Sequence, residues 1–174
     1  MHQRRHIHDR RVNLQPRLGG LPLAHHRDRQ ILRESVLKLE RYPDWSQRVA
    51  NLIRERARRP FAWGVNDCAI FAADAVLAAT GQDLALTFRG RYRSRRGAGH
   101  VLRAHGWANL EELGDSVLPR STERPRRGDV VLYAGRNGNF LGVVWSAGVA
   151  GPDDTGVRLW PLDQDAILAT WSVG

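Results

Sequence analysis

Cys68 is the single cysteine of this 174-residue chain, and it stands where a thiol can do chemistry. Asn66 and Asp67 precede it, and an apolar run from Ala69 to Ala79 follows. Asn or Asp directly before such a run is a helix N-cap signal. The pattern predicts Cys68 in the first turn of a buried helix that ends near Thr80-Gly81. Unpaired backbone N–H groups and the helix dipole at that end are expected to favour a thiolate and lower the thiol pKa. A nucleophilic cysteine is commonly placed this way. The alternative is a small hydrophobe in a core helix, a frequent role for free cysteine.

A thiol that cleaves an amide needs a base to take and return a proton. His2, His6, His8, His25 and His26 lie in the leading segment. They have no cysteine or carboxylate company at a rigid spacing, so a solvated tail is expected there, with no metal site. His100 and His105 lie between the Cys68 helix and the later strands. Either is a candidate displaced base, and His105, beside Gly106, is also placed to interact with a helix C-terminus. Asp67 reads as the helix cap next to Cys68. No cofactor-binding or metal-binding set is expected, and one cysteine excludes an internal disulfide.

The elements that must position these residues follow from pattern. Residues 1–28 are rich in Arg and His, show no apolar period, and read as a basic, disordered or loosely attached segment. Residues 29–174 read as a single α+β domain. Helices are expected over Gln30–Glu40 and from Trp45 to about Arg58, the second capped by Asp44, with a solvated Arg-rich face. The Cys68 helix is apolar on nearly all sides and should be central. Its one interior charge, Asp74, is expected to pair with an arginine. Phe88 to Arg96 is a dense basic stretch with two aromatics. It reads either as an anion site, for phosphate or a cell-wall carboxylate, or as a loop paired with acidic groups of the fold. Gly97 to His105 reads as a short helix with Gly106 as its C′ residue. Asn109 caps another over Leu110 to Val117, ended by Pro119.

From Gly128 the period changes. Asp129 to Tyr133 reads as a strand, Asn137-Gly138 as a hairpin signal, and Phe140 to Ala147 as a second strand. Val157 to Leu162 and Ile167 to Val173 complete the set, with Trp171 buried. Helices first and strands afterwards imply an α+β domain with a largely antiparallel sheet.

Charge is uneven. The formal net charge is +9, and residues 1–60 carry the whole excess, with 15 basic against 6 acidic side chains. A basic pI therefore says little about the domain that follows. A nucleic-acid-binding arm is the weaker reading of the leading segment, because no aromatic is interleaved with its charges. No run approaches the roughly 20 apolar residues that span a bilayer. No apolar h-region follows the N-terminal charges, so no secretory signal is expected.

Phe61-Ala62-Trp63-Gly64, then Asp67-Cys68 opening an apolar helix, then Arg127-Gly128-Asp129-Val130-Val131-Leu132-Tyr133 together resemble the NlpC-type cell-wall cysteine peptidases. More closely, Tyr42-Pro43-Asp44-Trp45, the Cys68 segment, Phe88-Arg89-Gly90-Arg91-Tyr92 and the Gly128-Asp129 strand look like a small phage-encoded branch of unknown function. Its members tend to be encoded among tail-tip genes. The likeness runs from about Arg41 to Gly174. It implies an NlpC/papain-like fold, with the cysteine at a helix start packed on a small antiparallel sheet. It makes Cys68 the nucleophile and the Cys68 backbone N–H an oxyanion donor. Phe61 falls where the family often has a tyrosine whose hydroxyl supports that oxyanion hole. The family's histidine should open the strand around Asn139 to Val144, and none is there.

Two functions follow from the resemblance. The first is a phage or prophage tail-tip or baseplate protein, structural or catalytically degenerate. It would be made in the host cytoplasm, reside in the virion, and contact other tail-tip proteins and peptidoglycan. The second is an active cysteine peptidase or amidase, a hydrolase that opens peptidoglycan during phage entry with Cys68 as nucleophile.

Overall fold

A computed structural model describes residues 39–174. Among these described residues four helices precede five strands: α1 (Trp45–Arg56), α2 (Cys68–Thr80), α3 (Arg95–Ala104), α4 (Leu110–Val117), β1 (Val130–Gly135), β2 (Gly138–Trp145), β3 (Gly148–Asp153), β4 (Gly156–Pro161) and β5 (Ile167–Trp171). The strands form one sheet in the order β4-β3-β2-β1-β5, and every neighbouring pair is antiparallel. The α+β class with an antiparallel sheet is therefore as the sequence implies.

Three of the helices begin where a short polar side chain satisfies a free N–H. Asp67 accepts from Ile70, Ser94 from Gly97 and Asn109 from Glu112. The expected cap at Asp44 is different. Asp44 is the N-cap residue of α1 but makes no side-chain cap bond, because its carboxylate accepts from Arg48 Nε at 2.7 Å instead. Of the helix expected over Gln30–Glu40, only Leu39 and Glu40 lie within the described residues, and neither is helical. The rest of it, the basic leading segment and its histidines fall outside them.

Three tight hairpins build β1 to β4. The first closes with Gly135 opposite Gly138, so Arg136-Asn137 form the turn and Gly138 is already strand. The hairpin is as expected, with its turn one residue earlier. β3 is not expected from the sequence, because Gly148, Gly151 and Pro152 read as loop. Pro152 lies beyond the β2–β3 pairing, which stops at Val143 opposite Ala150. Its missing N–H therefore breaks no bond to β2.

α2 packs centrally, with ten of its thirteen residues buried. One sheet face, through Val130, Leu132, Leu141, Val143 and Trp171, joins the core beneath the helices. The other carries a smaller cluster of Val131, Tyr133, Val144 and Val149, flanked by Phe140 and Trp160. Two buried polar contacts close the domain. Asp129 accepts from the Arg126 N–H at 2.8 Å and from Arg41 Nη2 at 3.3 Å. Arg41 also donates to the Val173 carbonyl, so the Gly128-Asp129 motif ties both ends of the domain to β1. Trp171, fully buried, donates its indole N–H to Asp115 at 2.8 Å.

Gly114 is required by this last contact. A Cβ there would stand 2.3 Å from Trp171 Cζ2, against a ring that burial and its hydrogen bond prevent from moving. At Gly99, also helical, the nearest atom would be the flexible tip of Arg103 at 3.4 Å. Gly114→Ala should therefore lose about 1 to 2 kcal/mol, overpacking outweighing the helix-propensity gain. Gly99→Ala should be neutral or stabilising by up to about 1 kcal/mol. Urea unfolding of the two variants checks both signs.

Candidate functional site

The site is built around the carboxylate of Asp67, which is 1% exposed. Its Oδ1 accepts from the Ile70 N–H at 3.0 Å and its Oδ2 from the Gly64 N–H at 2.6 Å. The buried Tyr92 hydroxyl lies near enough for the Asp67 charge to raise its pKa. Asp67 thus starts α2 and closes the turn before it, on which the loop that carries Tyr92 docks. Gly64 makes the turn possible. Its φ is +71°, and a Cβ would meet the Tyr92 carbonyl oxygen at 2.2 Å. The Gly64 carbonyl in turn accepts from the Gly90 N–H at 2.9 Å, so the Phe88–Tyr92 loop docks on the Gly64–Asp67 turn.

Asn66 takes no part in capping. It is fully buried, donates to the carbonyls of Arg59 and Pro60, each at 2.9 Å, and accepts from Arg56 Nη1 at 2.7 Å. Arg56 Nη2 reaches Asp74 Oδ2 at 2.7 Å, and Arg89 holds Asp74 Oδ1 at 2.7 Å and Asp83 at 2.9 Å. Asp74 does pair with arginine, and with two. One partner comes from the Arg-rich face of α1 expected to be solvated: Arg56 is 8% exposed. Within the basic stretch, Arg89 follows the ion-paired reading.

Cys68 is half-buried, and its thiol runs against the expected shift. Burial pushes its pKa up to about 11. The Leu141 backbone N–H, and those of Ala69 and Cys68 itself, pull the other way, while the Asp67 carboxylate adds to the rise. The helix-start amides act in the anticipated direction, but desolvation outweighs them. A buried carboxylate one residue away also opposes a second negative charge. The Tyr92 hydroxyl is held protonated, with its pKa raised by burial and by Asp67.

β2 meets Cys68 through the backbone N–H of Leu141. Leu141 is 4% exposed and, with Ala69, Ala72, Ala73 and Val76, lines an apolar void of about 30 Å³. That is room for about one water with no polar group to hold it, and not a substrate cleft. Phe61 packs edge-on against Trp63 at 4.9 Å. A tyrosine hydroxyl does come near this region, but it belongs to Tyr92, and burial and the Asp67 charge hold it protonated. His100 and His105 are exposed on and just after α3. His105 Nδ1 lies 2.9 Å from the Val101 carbonyl, and its ring stacks on Trp107. Among the described residues, no hydrogen bond or ion pair links either histidine to Cys68 or Asp67. Nor do any three His, Cys, Asp or Glu side chains there form a group able to hold a metal ion.

Residues 40–173 match the family described as Domain of unknown function (DUF6950). The chain belongs to the DUF6950 family. No curated protein matches it. The match takes in all four helices and all five strands of this DUF6950 domain. Sequence reasoning missed Tyr92, Leu141 and the Arg56 clamp. The aromatic inside the Phe88–Tyr92 motif was a signal for the first; nothing local marks the other two.

Two outcomes follow from this geometry. Asp74→Ala takes the carboxylate away from the buried Arg56 guanidinium and should cost about 3 to 5 kcal/mol, measured by urea unfolding. Between pH 9 and about pH 11 the unfolded chain releases a thiol proton that the folded chain keeps. The stabilising contribution, complete below pH 9, should therefore be lost as pH rises through that window. Melting temperatures across it should fall less steeply for Cys68→Ala than for the parent.

Proposed function

We propose that this DUF6950 domain is a catalytically silent NlpC-like module of a phage tail tip or baseplate, retained for its structure and contacts. The layout supports an NlpC/papain-like reading. A cysteine opens the central helix, and that helix packs on an antiparallel sheet whose first strand follows Gly128-Asp129. One observation carries the loss of chemistry: β2 meets Cys68 through the Leu141 backbone N–H, and none of its residues from Asn139 to Val144, where the resemblance requires a histidine, is one. Without a base to take and return the proton, amide cleavage forfeits on the order of 10² to 10⁴ in rate. A thiol whose pKa stands at about 11 is almost wholly protonated at neutral pH, which removes the nucleophile as well.

The second reading, an active peptidoglycan endopeptidase or amidase, draws on the N–H groups of Cys68 and Ala69 beside the thiol. These are the donors an oxyanion would use. It lacks the base.

Iodoacetamide alkylation across pH 5 to 11.5 tests the silent reading directly, because the only thiol of the chain reports it. The expected reaction is slow at neutral pH and still rising at pH 10, whereas in denaturant it should follow a free thiol with a midpoint of about 8.5. A midpoint below about 8 would mean an activated nucleophile and overturn the proposal. Labelled peptidoglycan incubated with the protein should release no more fragments than with Cys68→Ala, and the protein should copurify with tail structures. Cleavage above the Cys68→Ala control, or virions that lack the protein entirely, would each contradict it.

A further inference from the structure

The docked Phe88–Tyr92 loop places one feature beside the site that the silent reading leaves unused. From Leu84 to Leu110 the chain has six arginines and two histidines and no carboxylate. Arg89 is spent on Asp74 and Asp83. Arg91, Arg93, Arg95, Arg96 and Arg103 are exposed, and none of them forms an ion pair among the described residues. The α3 first turn holds no acidic residue. The Arg95 guanidinium reaches the β1–β2 turn, where it would lie 3.7 Å from a Cβ at Gly138. That turn adds a further exposed arginine, Arg136, also without an ion pair among the described residues.

This concentration is unusual for the molecule. From residue 61 onward, basic and acidic side chains balance at 12 each. Elsewhere in the domain Arg41, Arg48, Arg56, Arg120, Arg126 and Arg158 find carboxylates; Arg54, Arg58, Arg59, Arg124 and Arg127 form no ion pair among the described residues, but each lies within four residues of Glu55 or Glu123. Like charges set side by side on one rigid platform repel, and the arrangement is favourable only with a counter-charge over it. The platform is held because Tyr92, between Arg91 and Arg93, is buried and the Gly90 N–H donates to the Gly64 carbonyl at 2.9 Å.

We infer that the face formed by the Arg91–Arg96 loop, α3 and the β1–β2 turn binds a phosphate-bearing glycopolymer of the bacterial surface. Guanidinium groups suit phosphate, which they engage by two parallel hydrogen bonds. A linear polymer with one phosphate per repeat matches several separate arginines better than a single small anion does. Nucleic acid is the weaker fit. The ring of Tyr92 is buried, and Trp107 is stacked under His105, so this face offers charge without a free ring for bases to stack on. Choosing the cell surface as the source rests on the tail-tip reading; the phosphate chemistry rests on the arginines alone.

The test uses the full chain and poly(glycerol phosphate) as the probe, with affinity measured across a salt series. Binding should weaken linearly in log–log form with salt. The triple variant Arg91→Ala, Arg93→Ala, Arg96→Ala should bind at least about tenfold more weakly, with a salt slope smaller by about 2, roughly 0.7 for each phosphate no longer engaged. A control triple at exposed arginines elsewhere, Arg54→Ala, Arg58→Ala, Arg124→Ala, should stay within about twofold of the parent. Equal losses in both triples would reduce the effect to net charge and overturn the site, as would parental affinity in the first triple. Tighter binding of a duplex DNA of equal charge, abolished in the same triple, would overturn the glycopolymer assignment. Circular dichroism confirms that the first triple is folded, and Arg93→Glu alone, expected to lose more than Arg93→Ala, repeats the test with a single change. Repeating the series in Cys68→Ala separates the inferences: polymer binding should be unchanged whether or not Cys68 proves reactive.

Discussion

One buried carboxylate organises the centre of this domain. Asp67 holds a first-turn N–H of α2 and the turn N–H of Gly64 at once. The turn and the helix therefore meet on two oxygen atoms, and the Phe88–Tyr92 loop docks on that turn through the Gly90 N–H and the Gly64 carbonyl. A buried carboxylate persists only if such donors replace its hydration. Its partners are consequently as constrained as the residue itself: Gly64 must take a positive φ, and the Tyr92 loop must dock against it.

Burial is the main cause that pushes the thiol beside Asp67 toward the neutral form, and the Asp67 charge adds to it. At a helix start, backbone amides stabilise negative charge, and at a solvated site that would be enough to activate a thiol. Here the carboxylate that builds the helix start is itself a negative charge next to the thiol, and the surrounding core removes water from it. Both push toward the neutral form, and the amides of Leu141, Ala69 and Cys68 do not recover the loss. Asp67 thus starts the helix while opposing charge on the thiol next to it.

Around this centre the domain is closed by polar contacts of long reach. Asp129 joins Arg41 to the strand that follows Gly128, and Asp115 fixes the indole of Trp171. Arg56 and Arg89 bracket Asp74 on the central helix. These pairs commit arginines to carboxylates inside the fold, whereas the arginines around α3 face solvent together.

What depends on near neighbours was legible in the order of the residues. Asp67, Ser94 and Asn109 sit within three residues of the N–H groups they cap, so the starts of α2, α3 and α4 are readable or nearly so, and Gly81 ends α2 with a positive φ. The change of period at Gly128 and the turn signal at Asn137 pointed to the antiparallel sheet, and the apolar character of α2 to its central place. The remainder came from packing between distant segments. β3 exists because β2 and β4 pair with it across glycines and a proline that locally read as loop. Arg56 is buried because Asp74 and Asn66 lie opposite, and Asp44 gave its carboxylate to Arg48 instead of to its helix. The sign of the Cys68 shift belongs to this second group. A helix start is a local feature that favours charge, whereas desolvation depends on what the remainder of the chain packs against it, and here the packing dominates.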